Sequence, residues 1–92
     1  MVELLAIDAP AVRRALDLVD RGDWASGADL IEAFVESAAM AALPPDHRAR
    51  VLYDLGQTRR FDSTLPPDER YTRARESLRA AIRLAPEARY AA

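Results

Sequence analysis

The 92-residue sequence predicts an all-α fold of two antiparallel helical hairpins, and three observations lead there. Apolar residues recur at helical spacing in successive segments. Gly22, Pro44-Pro45, Pro66-Pro67 and Pro86 punctuate those segments where helices start or stop. The last segment carries the most regular stripe, with Ala74, Leu78, Ala81, Ile82 and Ala85 at i, i+4, i+7, i+8 and i+11. Small residues alternate with large ones along that stripe, the pattern of a helix that receives another helix, and the rest of the chain is expected to organise around it.

Residues 2–7, Val-Glu-Leu-Leu-Ala-Ile, leave helix, strand and apolar arm open. Asp8 reads as an N-cap, Pro10 fits a first turn, and Ile7 with Val12 has the spacing of a hydrophobic staple. The first helix is therefore expected from about Ala9 to Asp20, burying Val12, Ala15, Leu16 and Val19, with Gly22 ending it. Trp24 opens the next element. Leu30, Ile31, Phe34, Val35 and Ala38 extend it to about Ala42, where Leu43-Pro-Pro-Asp46 stops it. A third helix, from Pro45 or Asp46 to near Arg59, presents Ala49, Val51, Leu52 and Leu55. Residues 61–68 read as a loop. The fourth helix spans about Pro67 to Leu84, acidic in its first turn and basic later, both favourable to the helix dipole. Leu-Pro-Pro-Asp-x-Arg occurs at 43–48 and again at 65–70, which reads as one helix-start device used twice. The expected core is Val12, Ala15, Leu16, Val19, Trp24, Leu30, Ile31, Phe34, Val35, Leu52, Leu55, Ala74, Leu78, Ala81 and Ile82.

Composition narrows the functional classes. Cysteine is absent, which excludes disulfide scaffolds and thiolate metal sites and fits a cytoplasmic location. Met-Val-Glu-Leu-Leu lacks the basic start of a signal peptide, and no apolar run is long enough for a membrane span. Lysine and asparagine are missing while alanine and arginine abound, as in a GC-rich, bacterial coding sequence. The net charge of −2 conceals an asymmetry: residues 1–45 sum to −5 and residues 46–92 to +3.

Leu52-x-x-Leu55-Gly56, then Ala74-x-x-x-Leu78-x-x-Ala81, then Pro86, resembles the tetratricopeptide repeat. Gly56 and Ala74 are the small residues that would let two antiparallel helices touch. The first half fits more loosely, with Ala15 at the family's glycine position, Gly22-Asp23-Trp24 as the turn, and Gly27, Ile31 and Phe34 along the second helix. Leu52 replaces the family's tryptophan and Arg59 its tyrosine, and the Gly56–Ala74 connection is about six residues too long. The resemblance thus covers residues 52–86 by motif and 11–86 by architecture; a small four-helix bundle is the alternative. It implies a protein-interaction module. Two repeats are fewer than the three usually needed to close a core, so residues 2–7 or another chain would cover the open end.

No catalytic constellation is present. His47 is the single histidine, Ser26, Ser37, Ser63 and Ser77 lack a nucleophile motif, and Asp62, Asp68 and Glu69 read as loop and helix-start acids. The expectation is a non-enzymatic chain with no cofactor and no metal. Arg21-Gly22-Asp23 resembles an integrin ligand but reads as a turn between helices. Two charge rows stand out: Asp29, Glu32 and Glu36 on the second helix, and Arg75, Arg79 and Arg83 on the fourth. Each row gains from an opposite partner, and these six residues are the candidate partner-binding set. The expected function is a bacterial adaptor that binds another protein, as a homo-oligomer or as a small subunit of a larger assembly. An arginine-driven nucleic-acid-binding regulator and a death-like recruitment domain are the alternatives. Interleaved acids and the lack of an aromatic platform within the basic row argue against nucleic acid.

Overall fold

A computed structural model describes residues 10–86. Among them the fold is all-α with five helices: α1 (Pro10–Asp20), α2 (Trp24–Val35), α3 (Ala38–Ala41), α4 (Pro45–Arg59) and α5 (Pro67–Leu84). Two tightly packed pairs, α1 with α2 and α4 with α5, are joined where α2 lies against α4, and the one-turn α3 rests on α2. The expected cap at Asp8, its staple from Ile7, the segment 2–7 and the tail 87–92 lie outside the described residues.

The first turn is made by a few residues in overlapping roles. Gly22 adopts φ +86, the left-handed conformation that glycine tolerates best. Its N–H donates to Val19 O at 2.9 Å, and the Asp23 N–H donates to Leu18 O at 2.9 Å. That is the paired closure of a helix C-terminus. Asp23 then caps α2, its carboxylate accepting from Ser26 N at 3.2 Å. Arg21-Gly22-Asp23 is thus a turn between helices. The repeated Leu-Pro-Pro-Asp-x-Arg also starts a helix twice, with Pro45 and Pro67 as first helical residues and the arginine N–H donating to Pro44 O or Pro66 O at 2.9 Å.

Two expectations are corrected. The second helix does not run to Ala42: α2 ends at Val35, and Ser37 opens α3. Ser37 Oγ donates to Phe34 O at 2.6 Å and accepts from Met40 N at 3.4 Å. A serine offering the backbone this alternative competes with helix continuation, and the resulting bend carries Met40 into the core. The chain is also not organised around its last helix. The core cluster comprises Val12 and Ala15 of α1, Ala28, Ile31 and Phe34 of α2, Met40 of α3, and Val51 and Leu55 of α4. The helix α2 touches α1, α3 and α4, whereas α5 packs chiefly on α4. Packed chiefly on α4, α5 buries only part of its wide stripe: Ala74 and Ala81 are buried, Leu78 is half-buried, and Ile82 is 42% exposed. Leu16, Val19, Trp24, Leu30, Val35 and Leu52 are likewise only partly buried.

Close backbone approach holds both pairs. A methyl group at Gly56 would stand 2.8 Å from Leu78 Cγ and 3.0 Å from Ala74 O; one at Gly27 would stand 2.7 Å from Val19 Cγ2 and 2.9 Å from Ala15 O. In each pair a glycine faces the carbonyl of an alanine on the opposing helix. The α4–α5 contact is the one the sequence indicated through Gly56 and Ala74. Gly27→Ala and Gly56→Ala should each destabilise the fold by about 1–3 kcal/mol, because overpacking outweighs the helix propensity gained. In urea titrations Leu78→Ala should suppress most of the Gly56→Ala penalty; additive losses would mean that the methyl is accommodated elsewhere.

Candidate functional site

The most densely ionic place in the structure joins the two pairs. Arg59, in the last turn of α4, is 5% exposed. Its guanidinium donates from Nη1 to Asp62 Oδ2 at 2.8 Å and from Nη2 to Asp29 Oδ1 at 3.1 Å and to Glu32 Oε1. Asp62, in the loop after α4, is 1% exposed and also accepts from Thr64 N at 3.1 Å and Thr64 Oγ1 at 2.5 Å. Burial pushes the Asp62 carboxyl up, but the bonds from Thr64 and Arg59 outweigh that and hold it below its ordinary range. Burial likewise disfavours the Arg59 cation, and the bonds it donates to Glu32, Asp29 and Asp62 more than restore it. Beside the loop, the Trp24 and Phe61 rings meet at 4.8 Å between centroids, tilted by 40°.

Two concavities flank α5. A polar cleft of about 390 Å³ is lined by Glu32, Leu55, Arg59, Arg73, Glu76 and Ser77. Arg73 is engaged there by Glu69, at 2.8 Å and 3.1 Å. A second groove, of about 410 Å³, runs along α5. Ala74 and Leu78 are its least exposed members, Tyr71 and Ile82 expose apolar surface to it, and Arg60, Arg75 and Arg79 complete it. Among the described residues no acidic side chain lines it. Glu76, the acid nearest the arginine row in sequence, lines the polar cleft instead.

The predicted partner-binding residues are distributed unequally. Arg75 and Arg79 share the apolar groove; Arg83 is exposed on the same helix but outside its lining. Asp29 and Glu32 meet Arg59 of their own chain, so the opposite partner their row needs is supplied within the fold. Glu36 caps the C-terminus of α2 and joins neither. The basic row does have an aromatic neighbour: Tyr71 lines the same groove, with the Arg70 Cζ 5.9 Å from its ring centroid. Sequence reasoning missed Arg59 and Asp62 as a buried pair. The available signal was local, an aspartate three residues after an arginine and two before a threonine, the spacing of a side-chain-closed turn. Among the described residues no cluster of histidine, cysteine, aspartate and glutamate is placed to hold a metal, and no helix is long and apolar enough to cross a membrane.

Compared with known proteins, the chain matches no family model, no curated protein and no solved structure.

Arg59→Met should destabilise the fold by about 3–5 kcal/mol, since it leaves the buried Asp62 carboxylate without its cation, while Asp29 and Glu32 return to water at little cost. A chemical melt within about 0.5 kcal/mol of wild type would show that the cluster is energetically idle. Because its folded-state pKa is depressed, Asp62 adds stability that is present above its unfolded value of about 3.9 and is lost as pH falls through the lower folded value. Asp62→Asn should accordingly be less stable at neutral pH and show a shallower loss below about pH 4, measured by thermal melts across the acid range.

Proposed function

We propose that this chain is a protein-binding module, and that the groove along α5 takes the apolar face of a partner segment flanked by carboxylates. The observation that supports this reading is a single concavity combining exposed Tyr71 and Ile82 with Arg60, Arg75 and Arg79 and, among the described residues, no acid. Tyr71, Arg75, Leu78 and Ile82 stand at i, i+4, i+7 and i+11, so apolar and cationic contacts alternate along roughly 16 Å of helix. Apolar surface supplies affinity when it leaves water, and the arginines steer an acidic segment and exclude a basic one. The resemblance of residues 52–86 to the tetratricopeptide repeat favours the same role, that of an adaptor whose activity is recognition. A nucleic-acid ligand suits the groove less well, because Leu78 and Ile82 offer aliphatic surface where bases stack on aromatic rings.

The test is fluorescence anisotropy with a fluorescein-labelled synthetic helix, about three turns long, with leucines at i, i+4 and i+7 and glutamates on both sides. Saturable binding in the micromolar range is expected. Ile82→Asp, or Arg75→Glu with Arg79→Glu, should weaken it at least tenfold without changing the thermal melt. Absence of saturable binding, or tighter binding of a single-stranded oligonucleotide of equal charge with a steep salt dependence, would overturn the proposal.

A further inference from the structure

The groove calls for an occupant that brings apolar side chains and carboxylates together. Among the described residues the exposed large apolar side chains are Phe61, Tyr71 and Ile82, and Phe61 already faces the Trp24 ring. None of these three lies on α1 or α2, where Asp17, Asp20 and Asp29 are exposed. A groove-to-groove pairing across a two-fold axis would set Arg75 and Arg79 against their own copies. One stretch of the sequence has the required chemistry: Val2-Glu3-Leu4-Leu5-Ala6-Ile7-Asp8, with a carboxylate near each end, aliphatic side chains between, and no cation.

We propose that Val2–Asp8 of one copy occupies the α5 groove of a second copy. This rests on the reading of the groove as a protein-docking site and names its partner. Extended, the five-residue step from Glu3 to Asp8 covers roughly 16 Å, and so does the helical rise from Tyr71 to Ile82. The carboxylates then fall at the two ends of the groove while Leu4, Leu5 and Ile7 meet Leu78 and Ile82, so that in the dimer Ile7 and Asp8 serve the groove in place of the staple and cap their spacing suggests. Ala9 alone separates this segment from Pro10, where α1 begins. The main packing of α1 is on α2, whereas the groove is built from α5 and from Arg60 at the end of α4. A segment that leads into the pair not forming the groove is assigned to the groove of a second copy, and insertion into its own groove is the outcome that a strictly monomeric wild type would reveal. Two copies that exchange segments satisfy both grooves and close as a dimer.

Light scattering during size exclusion, run on the full chain over a concentration series at low salt, tests this. The wild type should move reversibly from monomer to dimer mass. Leu4→Asp with Leu5→Asp, and separately Ile82→Asp, should remain monomeric while keeping a cooperative thermal melt that no longer depends on protein concentration. An equimolar mixture of those two variants should regain dimer mass, because one intact segment then meets one intact groove. Arg75→Glu with Arg79→Glu should weaken the dimer at least tenfold, and Glu3→Arg with Asp8→Arg in the same chain should restore it. A wild type that stays monomeric throughout, a dimer that survives the leucine substitutions, or a mixture that fails to associate would each overturn the proposal. If the wild type is monomeric yet binds the labelled acidic helix, the segment is the wrong occupant and the groove reading stands; if it is monomeric and binds neither, both fall.

Discussion

A guanidinium that is almost wholly removed from water has to find its counter-charges inside the fold, and Arg59 finds them on two different elements. Asp29 and Glu32 come from α2, Asp62 from the loop that leaves α4. The α2–α4 contact is the joint between the two helix pairs, so the register of that joint is tied to whether three oxygens converge on one cation. Apolar side chains such as Ile31, Val51 and Leu55 supply burial there but tolerate sliding; a forked donor with fixed directions does not. Because Asp29 and Glu32 keep substantial contact with solvent, the cluster contributes mainly through the buried Arg59–Asp62 pair and through orientation.

Within each pair the constraint is different. Gly27 and Gly56 bring their helix backbones against Ala15 and Ala74, and the two contacts mirror one another: the glycine is on the second helix of the first pair and on the first helix of the second. The same steric solution is thus reached with the residue types exchanged. It gives α5 a firm seat on α4 through small residues, which is why so little of the apolar stripe on α5 is consumed and why Tyr71 and Ile82 remain at the surface. The groove is a consequence of packing a wide stripe with a narrow contact.

Helix positions were legible because proline, glycine and helical periodicity act over a few residues. The starts at Pro45 and Pro67, the turn at Gly22 and the Gly56–Ala74 approach all follow from such local chemistry. The break at Ser37 was not legible, since a serine inside an apolar helical run declares itself only when its hydroxyl competes for Phe34 O. The central role of α2 was hidden for another reason. A regular stripe reports how amphipathic a helix is, not how many neighbours it has, and α2 is apolar over more of its circumference because it has three. The candidate site was half legible: Arg75 and Arg79 were picked out by spacing, but their company in the groove depends on which way α5 faces, and Arg59's partners lie 27 and 30 positions away in sequence.

The turn between α1 and α2 has a kinetic implication. Asp23 closes one helix through its N–H and opens the next through its carboxylate, so the first pair is connected by contacts close in sequence, with almost no loop to immobilise. The second pair must order a longer connection, whose closure relies on Asp62 meeting Thr64 and Arg59. Local contacts form fastest, so α1 and α2 are expected to assemble first and to offer α4 a prepared surface. The acidic end of that surface, Asp29 and Glu32, is then already in place when Arg59 arrives.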